Sequence, residues 1–238
     1  VEAYQPAYDR EKARITLYLD GAALTMDTEI QVRQQRVMVP IRAIAEECCF
    51  LQDVGVVSYE ESHYRQSRCM VNVAGAGFDA QVVRRVSHLQ QKARLRRWSY
   101  TWCLLRSFFG YKSTGVKVWV DDKLVYNDLL LSVAIGICQY NGGGIRQLPE
   151  AVADDGLLDV SLIRPIHFWH VLFRFKYLFN GGIYRIRHIL KERGSRVRIE
   201  SSPEISLEVD GELLGETPLE FSVRSRSIRI IVSRGFRG

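Results

Sequence analysis

Near the end of the chain two alternating runs, Glu204 to Val209 and Pro218 to Val223, lie either side of Asp210-Gly211. Alternation of apolar and polar side chains marks a strand buried on one face, and Asp-Gly is a strong signal for a tight reversal. The chain is therefore expected to fold back as an antiparallel hairpin, with Leu207-Glu208-Val209-Asp210-Gly211-Glu212 at its tip. A carboxylate on so rigid a support, beside a second one, can accept a proton from an alcohol. Taken alone, an Asp-Gly pair is only a turn, so its meaning depends on what surrounds it.

Similar strand signals recur upstream. Leu51 to Tyr59, Arg68 to Ala74, Val116 to Val120, Lys123 to Tyr126, Leu129 to Cys138 and Leu158 to Ile163 are short, largely apolar runs. Val197 to Glu200 and Ile228 to Val232 continue the pattern. Gly75 and Gly77 suggest a tight turn with unusual backbone angles. Helices are expected over Ala80 to Phe109, interrupted around Lys92 to Arg97, over His167 to Phe179 after Pro165, and over Tyr184 to Lys191. Many short strands with few helices predict a mainly β, α+β fold built as a sandwich-like domain. Before it, Ile15 to Leu19, Leu24 to Ile30 and Arg36 to Val39 read as strands, and Pro40 opens a helix from Ile41 to Glu47 at its favoured first-turn position. The expected division is residues 1–49, a short hairpin-and-helix segment, and residues 50–238, the main domain.

Three more motifs stand in order before the hairpin. They are Asn72-Val73-Ala74-Gly75-Ala76-Gly77-Phe78-Asp79-Ala80, then Asn141-Gly142-Gly143-Gly144, then Pro149-Glu150-Ala151-Val152-Ala153-Asp154-Asp155-Gly156-Leu157-Leu158-Asp159-Val160. Together with the hairpin they resemble the diacylglycerol kinase and sphingosine kinase superfamily, specifically the C-terminal substrate domain of bacterial lipid kinases, over about Phe50 to Ser233. Gln52-Asp53-Val54-Gly55 is similar to the strand that opens that domain. Arg14 to Glu46 resembles part of a copper amine oxidase N-terminal-like module, chiefly through Met38-Val39-Pro40-Ile41-Arg42-Ala43-Ile44-Ala45-Glu46.

The resemblance implies an ATP-dependent phosphoryl transfer to a lipid hydroxyl, with Asp210 as general base. It places Glu212 beside that base, toward the nucleotide and its magnesium. Asp155 matches a structural Mg²⁺ site completed by the backbone carbonyls of Val152 and Leu157, and oxygen-only ligation is what Mg²⁺ prefers. Asn141, Gly142, Gly143 and Gly144 are expected to line the lipid cleft, while Asn72 and Asp79 are expected to brace the glycine turn and Asp53 to be structural. In the family ATP is bound by a separate half carrying a Gly-Gly-Asp-Gly-Thr type motif. This sequence contains no such motif, no Walker A motif and no GxGxxG. The nucleotide-binding domain is thus expected to be absent, and the chain inactive on its own. The alternative is a non-enzymatic module, derived from the same domain, that binds anionic lipid or a protein.

Charge and cysteine usage bear on partners and compartment. From Ala80 to Val120 there are nine Lys or Arg and no Asp or Glu; from Arg164 to Arg198 the only acid is Glu192. Such surfaces draw anions, here an anionic membrane surface, and no nucleic-acid motif accompanies them. Five cysteines at irregular spacing suggest neither a disulfide framework nor a zinc site, and point to a reducing compartment. No run reaches the ~18 apolar residues of a membrane span. A cytoplasmic protein at the membrane periphery is the resulting expectation.

Overall fold

The computed structural model describes residues 14–19, 22–27, 31–33, 36–38, 49–62, 64–90, 106–108, 110–141 and 144–232. The chain divides into two compact units, Val1–Leu51 with Ile228–Gly238, and Gln52–Ser227. In the first, β1 (Arg14–Leu19) pairs antiparallel with β2 (Ala22–Asp27), and β3 (Gln31–Arg33) with β4 (Arg36–Met38). The helix expected over residues 41–47 lies outside the described residues.

The larger unit is built on β5 (Cys49–Glu61), β6 (Tyr64–Met70), β7 (Val73–Gly77), β8 (Thr114–Val120), β9 (Lys123–Leu130) and β10 (Ser132–Gly136), followed by β11 (Leu158–Ile163), β12 (Ile189–Gly194), β13 (Arg196–Ser202), β14 (Ser206–Val209) and β15 (Glu212–Ile231). Its sheet runs in the order β12-β11-β10-β7-β14-β15-β13-β8-β9, and β5 pairs with both β15 and β6. The fold is mainly β with few helices, as expected. Sequence neighbours β8 and β9, β10 and β11, and β14 and β15 are antiparallel pairs, whereas β7 reaches the middle of the sheet between β10 and β14. Alternation explains the core: Val116, Val118 and Val120 of β8 face Val197 and Ile199 of β13 within it, and Leu207, Leu219 and Phe221 are also buried. No described helix is long and apolar enough to cross a membrane.

Several boundaries differ from the sequence reading. The expected strand ending at Ala74 continues through the glycines as the fully buried Val73–Gly77, with no turn at Gly75; only Gly77, at its end, takes a positive φ of 87° and swings the chain into α1 (Phe78–Gln90). Residues 91–105 and 109, which carry the remainder of the expected helix, lie outside the described residues. The single run expected over Leu129 to Cys138 is broken at Leu131, where β9 ends and β10 begins. The expected helix from His167 to Phe179 is shorter, α2 (Phe168–Phe173) followed by a 3₁₀ turn over Phe175–Leu178. Tyr184 to Lys191 is not a helix. A 3₁₀ turn over Ile183–Arg185 leads into β12. Ile183, Ile186 and Ile189 recur at spacing three, which imitates a helical stripe, but they pack as one buried cluster while Ile189 onward pairs with β11. Pairing in a sheet outweighs local periodicity there.

Candidate functional site

β7 sets the geometry of the site because its side chains are so small. Glu208 of β14 lies directly across from Gly75. A Cβ on Gly75 would come within 2.7 Å of Asp79 Cβ, 2.9 Å of Glu208 Oε1 and 3.1 Å of Asp79 Oδ2. Only glycine lets both carboxyls lie over the same point of the strand. Gly77 then turns the chain so that Asp79, in the first turn of α1, faces back over β7.

Both acids line the polar end of a deep cavity, with Asn141 and Gln147 beside them. Its walls are mostly apolar, including Phe78, Leu131, Ile145, Ile163, Ile166 and Ile183, with Arg174 among them, and its interior volume is about 80 Å³. Phe78, Val82, Leu131 and Ile145 form a buried cluster against the same wall. Gln147 donates to Asp79 Oδ2 at 2.7 Å, and Asn141 donates to the Gln147 amide oxygen at 2.9 Å. Burial pushes the Asp79 carboxyl up to about 6, against the opposing hydrogen bonds from Gln147 and Ser132. Burial pushes Glu208 up to about 8, aided by the nearby charges of Asp79 and Asp210 and opposed by the Gly211 N–H and the Asn141 amide. Glu208 Oε2 accepts from Gly211 N–H at 3.0 Å, whereas Oε1 is buried without a hydrogen-bond partner. The Tyr111 hydroxyl is raised to about 12, first by burial and then by the Asp79 charge.

Asp210 stands two residues beyond Glu208, outside the cavity wall. Asp210 and Gly211 both take positive φ, 50° and 87°, between the paired residues Val209 and Glu212, which is the two-residue hairpin the sequence predicted. The exposed Asp210 carboxylate accepts from the N–H groups of Val71 and Asn72, at 2.9 and 3.0 Å, and its own N–H donates to the Val73 carbonyl at 3.1 Å. Glu212 is exposed and paired with Arg68. Asn72 is thus tied to the hairpin, and its carbonyl accepts from Ile137 N–H at 3.0 Å.

The Asp155 loop is a separate feature. Asp155 Oδ1 accepts from Leu157 N–H at 3.0 Å, and Oδ2 is paired with the Arg193 guanidinium. Asp53, fully buried, organises the loop from behind: it accepts from Gly156 N–H at 2.6 Å and Arg226 N–H at 2.7 Å, and its own N–H donates to the Ala153 carbonyl. The donors proposed from sequence are all oxygens, the chemistry Mg²⁺ takes, but an ion on Asp155 must displace Arg193. Among the described residues no three His, Cys, Asp or Glu side chains converge as a metal cluster.

Of the sequence-predicted lipid-cleft residues, Asn141 lines the cavity; Gly144 is exposed at φ 81° and lies outside its lining, and Gly142 and Gly143 fall outside the described residues. Sequence reasoning did not single out Glu208 or Gln147, and gave Asp79 a bracing role. The available signal was an acid in an otherwise apolar strand, Ser206-Leu207-Glu208-Val209, whose neighbours on both sides are buried.

Residues 72–232 match the family model of the YegS C-terminal NAD kinase beta sandwich-like domain. The chain is 28% identical over 163 residues to a "Probable lipid kinase YegS-like" of Pseudomonas syringae pv. syringae, covering 68% of this chain and 52% of that protein. It is 22% identical over 164 residues to the "Diacylglycerol kinase" of Bacillus subtilis, covering 69% and 54%. The chain therefore spans about half the length of the curated relatives it matches. A crystal structure of a diacylglycerol kinase from Bacillus anthracis shares the fold at a TM-score of 0.52 and 18% identity, over 78% of this chain and 55% of that one.

Proposed function

We propose, from the premise that this chain belongs to the family of YegS C-terminal NAD kinase beta sandwich-like domains, that it is the lipid-binding half of an ATP-dependent lipid kinase. The observation that carries the proposal is the cavity: a deep apolar recess whose closed end is polar, with the Asp210 hairpin adjoining that end. A diacylglycerol-like molecule would bury acyl chain against Phe78, Leu131 and Ile145 and present its hydroxyl near the hairpin. The names of the relatives, lipid kinase and diacylglycerol kinase, support the substrate class.

Asp210 is the proposed general base. Its two backbone N–H contacts hold the carboxylate in one orientation, and each oxygen keeps a further lone pair for a hydroxyl proton. Phosphoryl transfer depends chiefly on positioning and charge neutralisation, so a base on a rigid turn suits the task. Glu212, exposed beside it, would face the nucleotide once Arg68 is displaced. Mg²⁺, where bound by Asp155 and the Val152 and Leu157 carbonyls, would stiffen the loop that Asp53 already holds. ATP would come from a nucleotide-binding half, for which this sequence carries no motif.

The membrane side of the reading rests on α2. Trp169 and Phe173 are 63% and 78% exposed, and Arg164, Arg174, Lys176, Arg185 and Arg187 follow or precede them along the chain. Exposed aromatics among cations are a surface suited to anionic lipid. Ile166 and Arg174, which bracket α2, both line the cavity, so a lipid held at that surface would sit beside its entrance. The non-enzymatic alternative keeps this surface and the cavity and dispenses with ATP.

The test is diacylglycerol phosphorylation. The chain alone is expected to be inactive, and activity is expected when it is joined to the nucleotide-binding half of a YegS-like relative. Strong activity of the chain alone would overturn its expected dependence on a second half, and none in any such fusion that folds and binds ATP would overturn the kinase reading. Each Lys or Arg near an anionic surface contributes about 1 kcal/mol, so co-sedimentation with anionic vesicles should weaken as salt rises. Equal binding to neutral vesicles would remove the electrostatic part.

A further inference from the structure

We infer that the recess between the end of β11, α2 and the segment entering β12 is a binding site for a phosphate monoester carried by a lipid. Arg164 and Arg187 grip the phosphate, with Arg174, His170 and His188 around it. The phosphate site stands on its own observations; only the choice of a lipid as its bearer rests on the lipid reading of the cavity above.

Two recesses meet here and share Arg187 and His188. Arg164 and Pro165 complete the first; Ile166, His170, Arg174 and Ile186 complete the second. The fold draws these groups from three segments. Arg164 N–H donates to the His188 carbonyl at 2.9 Å and Arg164 Nη2 to the Arg187 carbonyl at 2.6 Å, which laces two of the segments side by side. The third, α2, brings the His170 ring to 6.1 Å from the His188 ring, between centroids. No acid is among the lining residues of either recess. The Tyr126 hydroxyl, raised by burial and by Asp128 and lowered by Arg164, puts Asp128 of β9 within electrostatic reach, but outside both linings.

The donors gathered here are unspent. Arg164 Nε is buried with no hydrogen-bond partner. Among the described residues, the guanidinium groups of Arg174 and Arg187 make no hydrogen bond or ion pair. Elsewhere on the domain Arg65, Arg68, Arg193 and Arg196 each hold a carboxylate. Cations collected without a counter-charge repel one another, and an orphaned buried donor is costly, so the cluster calls for an anion from outside. Guanidinium forks match paired phosphate oxygens, and a tetrahedral group can meet forks that arrive from different sides. A monoester brings about two negative charges near neutral pH, more than a diester or a carboxylate. The bearer follows from the neighbouring wall. Ile166, Arg174 and Ile186 line the deep cavity as well, so a chain esterified to the phosphate has apolar surface directly beside it. The exposed rings of Trp169 and Phe173 stand on the same helix as His170.

The experiment is calorimetric titration of the full chain, at fixed pH and ionic strength, with three probes. They are dihexanoyl phosphatidic acid and dihexanoyl phosphatidylglycerol, both below their micelle concentrations, and glycerol 3-phosphate. The parent should bind the phosphatidic acid about tenfold tighter than either of the others. Arg164→Gln and Arg187→Gln should each weaken both monoesters by about tenfold. Arg65→Gln, the same charge change on β6, should stay within about twofold of the parent. A parent that binds neither monoester, no loss in Arg187→Gln, or an equal loss in Arg65→Gln overturns the site. A diester bound as tightly as the phosphatidic acid overturns the monoester selection. Glycerol 3-phosphate bound as tightly as the lipid, and still dependent on Arg187, overturns the lipid bearer and with it the support from the cavity, while the phosphate site stands. Should Arg164→Gln fail to fold, Arg187→Gln decides the matter, because the exposed Arg187 is engaged only through its backbone carbonyl.

Discussion

Two regions of this domain hold carboxylates close to glycine, and they use them in opposite ways. Outside the cavity, in the hairpin turn and in a separate loop, Asp210 and Asp155 are solvent-facing, and their oxygens are taken up by backbone N–H groups and, for Asp155, a guanidinium. At the closed end of the cavity, Glu208 and Asp79 are pressed together over β7, raised to about 8 and about 6 by burial, with one oxygen unsatisfied. Glu208 and Asp210 are only two residues apart, and the backbone turn between them separates the two environments. The exposed acids keep their charge among water and backbone donors, whereas burial raises the cavity carboxyls and favours their protonated forms. A motif such as Glu-Val-Asp-Gly-Glu thus holds carboxyls in two environments, according to whether each lies within the buried strand β14 or in the turn beyond it.

The largest effect expected from breaking this contrast is on catalysis. In a fusion that restores kinase activity, Asp210→Asn keeps the turn and its size but removes the basicity, and should lower kcat by ~10²–10⁴-fold while the melting temperature changes little. A fused enzyme within a few-fold of its parent would leave Asp210 as a turn residue alone.

Next comes the pH dependence of stability. Glu208 titrates near the ordinary value of 4.5 when unfolded and near about 8 when folded. Between those values the unfolded chain has released a proton that the folded chain retains, so stability falls as pH rises from about 4.5 to about 8 and is flat beyond. Asp79 contributes in the same sense between 3.8 and about 6. Glu208→Leu should remove the upper part of this slope, stabilising the protein at pH 9 relative to pH 4.5 by on the order of a few kcal/mol in denaturant titrations. A parent and variant with parallel pH profiles would mean that Glu208 is not held protonated.

Gly75→Ala tests the shared point of the two acids. The added Cβ meets Asp79 Cβ at 2.7 Å, backed by its helix, so one carboxyl must be driven away; a loss of about 1–3 kcal/mol is expected, with weaker lipid binding. The smallest effect concerns the Asp155 loop. Mg²⁺ at a few times its dissociation constant should stabilise the chain by about 1 kcal/mol. Arg193→Gln should enlarge that gain by freeing Asp155, and Asp155→Ala should abolish it. Thermal melts with Mg²⁺ and with a matched monovalent salt separate the ion from ionic strength.

Much of this is legible in the chain itself. Alternation on both sides of Asp210-Gly211 predicted the hairpin, and short apolar runs predicted a mainly β domain, because strand and turn signals are local and act within a few residues. Local reasoning failed where long-range pairing took over. Tyr184 to Lys191 reads as a helix yet leads into β12, and Gly75 to Gly77 reads as a turn yet continues β7 through the middle of the sheet. The order of motifs pointed to the lipid kinase family, and Asn141, one of its residues, lines the cavity. The sequence by itself determined the strands, the reversal at Asp210 and the supply of acids near its tip. Only the tertiary structure decided which acid is buried: Glu208 and Gly75 are 133 positions apart in the chain, and it is their register across β14 and β7, with α1 returning Asp79 to the same point, that withdraws one carboxyl from water and leaves its neighbour exposed.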